Sequence, residues 1–109
     1  MKLIIAIVQD EDASRLINAL MNEGFSVTKL ATTGGFIKSG NTTLFAGVDE
    51  ERLDDCMAII EKVCKSRKQI ATSPVTMGGT TGMYAPYPIE VTVGGATLFI
   101  LSVDQFVKL

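Results

Sequence analysis

Histidine and tryptophan are absent from the 109 residues of this chain, and cysteine, proline and aromatic residues are scarce. Without histidine, the sequence lacks the commonest general base and the commonest metal ligand. Its two cysteines, Cys56 and Cys64, would lie about 12 Å apart on one helix face, which is too far for a disulfide. We therefore predict two reduced core thiols. Because two thiols without histidine do not make a zinc site, we also predict no metal and no cofactor.

Strong charge and long apolar runs are missing as well. The net charge of −2 gives little basic surface, and phosphate neutralisation supplies most of a nucleic-acid-binding protein's affinity, so nucleic acid is not an expected partner. No apolar run approaches the roughly 20 residues of a membrane helix, and the apolar start is too short for a secretory signal. We expect one domain over residues 1–109, located in the cytoplasm and without a membrane partner.

Groups for bond-breaking chemistry are also few. The acidic clusters Asp10–Asp12 and Asp49–Glu51 stand at predicted helix starts, where negative charge complements the helix dipole. The glycine-rich stretch 77–83 lacks the G-K-[ST] ending of a phosphate loop. With no activated nucleophile in view, we do not expect an enzyme.

Apolar periodicity predicts alternating strands and helices. The predicted strands are Lys2–Val8, Phe25–Thr32, Asn41–Val48, Ile89–Val93 and Ala96–Val103. Between them, two amphipathic helices begin at caps provided by Asp10 and Asp49, and Gly24 ends the first helix. The stretch Ser66–Pro88 is predicted to be irregular, Thr33–Gly40 to be a loop, and Gly94-Gly95 to be a tight turn.

A faint internal repeat supports this order. Ile5–Asp10 matches Phe45–Glu50 forty positions later, and the helices that follow match at the same offset. Two strand–helix–strand units in tandem make the ferredoxin-like β-α-β-β-α-β order. We predict an α+β fold with an antiparallel sheet, both helices on one face, and an extra C-terminal strand. Because the first strand is apolar on both sides, we expect the other sheet face to pack in an oligomer.

The segment Leu30–Val48 carries the main functional signal. Between two predicted strands it holds a glycine pair, one aromatic residue, one amide and several hydroxyls. Glycine allows close backbone approach, Phe36 offers a stacking surface, and the Asn41 amide matches the edge of adenine. Each also has a structural explanation: a hairpin turn for Gly34-Gly35, subunit packing for Phe36, and a turn for Asn41.

Three strand residues extend the candidate site, again with alternatives. Gly47 in a strand interior indicates either a close backbone approach or a bulge. Thr28 offers a hydroxyl to a base or phosphate, although threonine is common in sheets without any ligand. Phe99 would back the pocket or, like most strand phenylalanines, belong to the core.

The sequence resembles a known family over essentially its whole length. The resembling stretches are M-K-L-I-I-A-I-V-Q-D, T-K-L-A-T-T-G-G-F, G-N-T-T and Y-A-P-Y-P-I-E-V-T-V-G-G-A-T-L-F. Together they are similar to the PII-like cyclic di-AMP receptor proteins of Gram-positive bacteria. The resemblance implies a homotrimer of ferredoxin-like subunits that holds the dinucleotide in clefts between neighbours and performs no catalysis.

Position by position, the resemblance also implies ligand contacts. They fall on Thr28, Gly35, Phe36, Asn41 and Gly47, with Val27 and Ile37 lining the same pocket. Ser26 and Lys108 depart from the family pattern, since some relatives are expected to carry arginine and glutamine near these positions. Phosphates would then meet backbone N–H groups, threonine hydroxyls or a lysine.

The functional hypothesis is therefore a signal-transduction receptor for cyclic di-AMP. Ligand contacts would reorder loops that an unidentified downstream protein reads. Three alternatives stay open: a PII-type sensor of ATP or ADP, a small trimeric enzyme, and a structural oligomer without a ligand.

Overall fold

The computed structural model describes residues 1–30, 40–76 and 84–109, and within the strands it describes 71–76 and 84–87 by backbone alone. Within these described ranges, six strands and two α-helices follow one another. They are β1 (Lys2–Gln9), α1 (Asp10–Asn22), β2 (Ser26–Leu30), β3 (Asn41–Val48), α2 (Leu53–Cys64), β4 (Arg67–Thr76), β5 (Tyr84–Val93) and β6 (Ala96–Ser102). One 3-10 turn, Glu50–Arg52, precedes α2.

Four strands form the main sheet in the order β2-β3-β1-β6, and each neighbouring pair is antiparallel. This order, with α1 after β1 and α2 after β3, is consistent with the ferredoxin-like fold. The predicted α+β class, two helices and antiparallel sheet are confirmed. Neither described helix has the length and apolar character needed to cross a bilayer.

The second sheet corrects the prediction for Ser66–Pro88. β4 and β5 pair as a two-stranded antiparallel ribbon, with Arg67 opposite Val93 and Thr76 opposite Tyr84. The prolines in this stretch argued against strands, but each strand of a two-stranded ribbon has a free edge where a missing N–H is tolerated.

The C-terminal strand is likewise a member of the main sheet, not an extra one. β6 pairs with β1, whereas the predicted fourth strand Ile89–Val93 belongs to the ribbon. The predicted tight turn at Gly94-Gly95 therefore links two sheets instead of two neighbouring strands of one sheet. Both glycines have positive φ, +82° and +91°, a conformation that other residues rarely adopt.

The helix ends follow sequence rules only in part. Gly24, with φ +86°, ends α1 as predicted: its N–H donates to the Met21 carbonyl and the Phe25 N–H donates to the Leu20 carbonyl, which is the Schellman pattern. The predicted cap at Asp10 is wrong, because Gln9 occupies the cap position and the Asp10 carboxylate accepts a hydrogen bond from Thr42. Asp49 does precede the 3-10 turn but makes no side-chain cap bond.

The core lies between the helices and one face of the main sheet. It contains Ile4, Ala6, Val8, Ala13, Leu16, Leu20, Phe25, Leu44, Ala46, Val48, Cys56, Ile60 and Cys64. Fully burying a large aliphatic side chain contributes about 1.5–3 kcal/mol, so this cluster supplies the main driving force for folding. Cys56 and Cys64 are buried and unpaired, as predicted.

Candidate ligand-binding face

The main sheet has a second face that points away from the helices. Strand alternation puts Ile4, Ala6 and Val8 on the helix side and their neighbours on the other. We call that other side the open face. Its side chains are Leu3, Ile5 and Ile7 from β1, Ser26, Thr28 and Leu30 from β2, Thr43, Phe45 and Gly47 from β3, and Thr97, Phe99 and Leu101 from β6.

Apolar side chains on the open face are only partly covered by the described residues, and those of β6 are the most exposed. Phe99 is 52% exposed and Leu101 is 47% exposed. The predicted apolar second face is therefore present.

One row of the open face contains two predicted site residues. Thr28 is opposite Phe45, Phe45 is opposite Ile5, and Ile5 is opposite Phe99. At about 4.8 Å between neighbouring strands, Thr28 and Phe99 are about 14 Å apart. The structure thus puts both on one face but at opposite edges, and one subunit does not bring them together around a single base.

Asn41 and Gly47 are separated along β3 in the same way. They face the same side of the sheet, but six residues at about 3.3 Å each put them about 20 Å apart. Asn41 stands opposite Gln9 and lines a cleft of about 360 Å³ with Ile7, Gln9 and Gly94. The Gly94 N–H donates to Gln9 Oε1 at 2.8 Å, which fixes one wall of this cleft.

Gly47 lies in an unbroken ladder, opposite Leu3 on one side and Ser26 on the other. The bulge considered for this glycine is therefore not observed. A Cβ added here would meet only the Met1 side chain, at 3.7 Å, an ordinary contact. Nothing within the described residues requires glycine at this position.

Thr43 adds a polar feature that the sequence did not single out. It is 4% exposed, and its Oγ1 has no hydrogen-bond partner among the described residues. A buried unpaired hydroxyl costs about 1–3 kcal/mol. Its position opposite Ile7 puts this unsatisfied group on the open face.

The other predicted site residues divide into two groups. Val27 is opposite Ala46 and packs against the core, so its side chain lies on the sheet face opposite to Thr28 and only its backbone is available to a ligand on the open face. Gly35, Phe36 and Ile37 lie outside the described residues. Their assignment, like that of the others, stays a prediction.

Asp12 is the charged group that sequence reasoning misjudged. Its side chain is fully buried and its Oδ1 lies 2.9 Å from Arg67 Nη2 and 2.6 Å from Arg15 Nη2. Hydrogen bonds from Arg67 and then Arg15 lower the pKa of Asp12, against the opposing effect of burial. The ion pair between Asp12 and Arg67 joins α1 to the base of the β4–β5 ribbon. Asp12 therefore has a structural role beyond a helix start.

A family model for cyclic-di-AMP receptors matches residues 1–109. The chain belongs to the cyclic-di-AMP receptor family. Among solved structures it is similar to a functionally unknown protein from Pediococcus pentosaceus ATCC 25745. The two are 44% identical with a TM-score of 0.77, and the match covers 99% of this chain and 96% of that one. Membership of this receptor family favours a binding protein over an enzyme.

Proposed function

We propose that this member of the family binds cyclic di-AMP in a crevice shared by neighbouring copies of the chain. The observation that carries the proposal is the separation of Thr28 from Phe99 by the full width of the sheet. A dinucleotide that contacts both residues closely needs Thr28 from one copy and Phe99 from another. The family match across the whole chain supplies the ligand's identity.

The open face supports self-association. Leu3, Ile5 and Ile7 are only partly buried in the single chain, and Phe99 and Leu101 are about half exposed. Covering these side chains would contribute about 25 cal/mol per Å² of apolar area. We propose a homotrimer, the assembly that resemblance to PII-like receptors implies, with the three open faces turned toward one another.

Within such a crevice, uncharged groups read the base. The Asn41 amide can donate to and accept from one edge of adenine. Phe36 or Phe99 offers a ring for stacking, which contributes about 1–3 kcal/mol per base. Gly47 leaves the backbone accessible, and the Thr28 and Thr43 hydroxyls remain for the sugar or phosphate.

The signalling step is also part of the proposal. A ligand that contacts Phe36 and its neighbours more favourably in one arrangement than in another shifts the population toward that arrangement. A downstream protein that prefers the selected arrangement then reads the ligand's presence. The cytoplasm, where nucleotide signals are made, is the compartment we propose for this receptor.

Isothermal titration calorimetry of the full chain with cyclic di-AMP tests the binding step. We expect micromolar or tighter binding, and a molar mass from light scattering three times that of the chain. Asn41→Ala should weaken binding by about 1–3 kcal/mol through loss of the base-edge pairing. Asn18→Ala, at an exposed position of α1, is the matched control and should bind as the wild type does.

The outcomes separate this function from its alternatives. Competition by ATP or ADP at equal concentration would favour an ordinary adenine-nucleotide sensor. An oligomer whose melting temperature no dinucleotide raises would favour a purely structural module, because a bound ligand must stabilise the folded state. A monomer that does not bind cyclic di-AMP would refute the proposal as a whole.

A further inference from the structure

A small cleft opens beside Ser26 and Gly47, at the end of the open face remote from Asn41. Its volume is about 210 Å³, and its walls include Gly24, Phe25, Ser26, Gly47, Asp49 and Arg52. Ser26 and Gly47 are directly opposite each other in the β2–β3 ladder. The cleft therefore contains one predicted ligand contact and an arginine that the sequence did not single out.

The Arg52 side chain is held against one aromatic ring. Its guanidinium carbon lies 4.2 Å from the centroid of the Phe25 ring, and Phe25 is itself part of the core. Gly24, which has no Cβ, leaves space next to Arg52, since an added Cβ would lie 3.7 Å from Nη1. The Arg52 backbone N–H donates to the Asp49 carbonyl at 2.9 Å. A guanidinium stacked on a fixed ring loses little entropy when it binds a further group.

The N–H edge of this guanidinium is available. The ion pairs of the described residues involve Arg15, Arg67 and Lys68, and none involves Arg52. Arginine presents its donors in a planar fork that fits two oxygens of a phosphate. A stacked, half-buried arginine without a carboxylate partner, at the mouth of a cleft, is suited to bind an anion.

We propose that Arg52 binds a phosphate of the dinucleotide and is the anion-recognising residue of the site. This assignment rests on the proposed function. A cyclic dinucleotide carries two phosphodiester charges, while the side chains of the open face are uncharged. Arg52 brings a positive charge next to Ser26 and Gly47, where the sequence had indicated only backbone, hydroxyl or lysine contacts for the phosphates.

Asp49 provides a second test of the assignment, because substitutions at Asp49 and Arg52 should change the affinity in opposite directions. It lines the same cleft, and its carboxylate repels a bound phosphate. Removing the negative charge should therefore strengthen binding, and removing the positive charge should weaken it. A cleft that contacts only the sugar or base would not respond with opposite signs to the two changes.

The experiment is calorimetric titration of the full chain with cyclic di-AMP over a series of sodium chloride concentrations. Arg52→Gln should weaken binding at least tenfold and flatten its dependence on salt, because one ion contact is lost. Asp49→Asn should strengthen binding by about twofold to fivefold. Lys62→Gln, on the exposed side of α2 and outside the cleft, removes the same charge and should change affinity less than twofold.

Thermal melting of each variant accompanies the titrations. If Arg52→Gln does not fold, Arg52→Lys tests the assignment instead. Lysine keeps the charge but loses the stacked fork. This variant should melt as a folded protein and bind the dinucleotide threefold to tenfold more weakly. Wild-type affinity and salt dependence in a folded Arg52 variant would overturn the assignment while leaving the proposed function standing. A wild-type protein that does not bind the dinucleotide would overturn the proposed function itself.

Discussion

Gly94→Ala should destabilise the protein much more than the same change at its neighbour, Gly95. Both residues have positive φ, +82° and +91°, so an added Cβ costs each of them about 1–2 kcal/mol in backbone strain. The two positions differ in their surroundings, which makes them a matched pair. The difference in unfolding free energy between the two variants therefore measures the cost of steric overlap at Gly94.

At Gly94 there is no room for a Cβ. It would lie 2.5 Å from Arg67 Nη1, 2.8 Å from the Lys65 carbonyl oxygen and 3.1 Å from the Cys64 carbonyl oxygen. Two of these atoms are backbone and cannot rotate away. The third belongs to the arginine that pairs with Asp12, so moving it loosens a buried ion pair. Overpacking of this kind costs about 1–3 kcal/mol, which with the strain gives a total of about 2–5 kcal/mol.

At Gly95 the space is open, because the nearest atom to an added Cβ would be Ser66 Cβ at 4.0 Å. Gly95→Ala should therefore lose only about 1–2 kcal/mol. Gly40→Ala is a second control: its φ is +96° and no atom of the described residues lies within 4 Å of the added Cβ.

Equilibrium urea unfolding followed by circular dichroism measures the three variants. All should be compared at one protein concentration, because association raises apparent stability. We expect Gly94→Ala to lower the unfolding midpoint clearly more than the other two, with unchanged urea dependence. Equal losses for Gly94→Ala and Gly95→Ala would refute the idea that close packing around Arg67 requires this glycine.

Two further predictions concern pH. Because Arg67 and Arg15 lower the pKa of Asp12, its ion pairs stabilise the folded state above the ordinary carboxyl pKa of about 3.9, and this contribution is lost as pH falls through the lower folded value. The urea midpoint of unfolding should therefore fall between pH 6 and pH 2. Asp12→Asn should reduce this dependence of the midpoint on pH, and an unchanged dependence would contradict the role given to Asp12. Burial raises the pKa of Cys64 from 9.0 to about 11, so the unfolded thiol loses its proton first and stability should fall between about pH 9 and 11. Burial also raises the pKa of Cys56, so Cys64→Ala should reduce that fall without abolishing it, and an unchanged fall would contradict the assignment.

Much of the main sheet could be predicted because its signals are local. The continuous apolar run of β1, the apolar stripes of α1 and α2, and the turn at Gly24 each depend on residues close in sequence. The β4–β5 ribbon was missed for an equally local reason. Proline usually breaks strands, and only the pairing partner shows that these strands have free edges.

Asp12 shows a different limit. Three acidic residues at a helix start have a sufficient local explanation in the helix dipole, and nothing nearby in sequence distinguishes the buried one. Its partner Arg67 is 55 residues away. The paired arginine also lies next to Gly94, where an added Cβ would be 2.5 Å from Arg67 Nη1, and this proximity is a tertiary relationship that no local sequence pattern reports.

The candidate site exposes the deepest limit of sequence reasoning. Residue types suited to a purine are recognisable one at a time, but periodicity carries no information on the distances between them. In the folded chain, Asn41 and Gly47 stand about 20 Å apart along one strand, and Thr28 and Phe99 about 14 Å apart across the sheet. The described residues of one copy do not close a pocket around all four of these positions, whereas the proposed apposition of copies would bring opposite edges together. If these residues do act on one ligand, binding and assembly must be coupled, and dilution below the dissociation constant of the oligomer should abolish binding of the dinucleotide without unfolding the subunit.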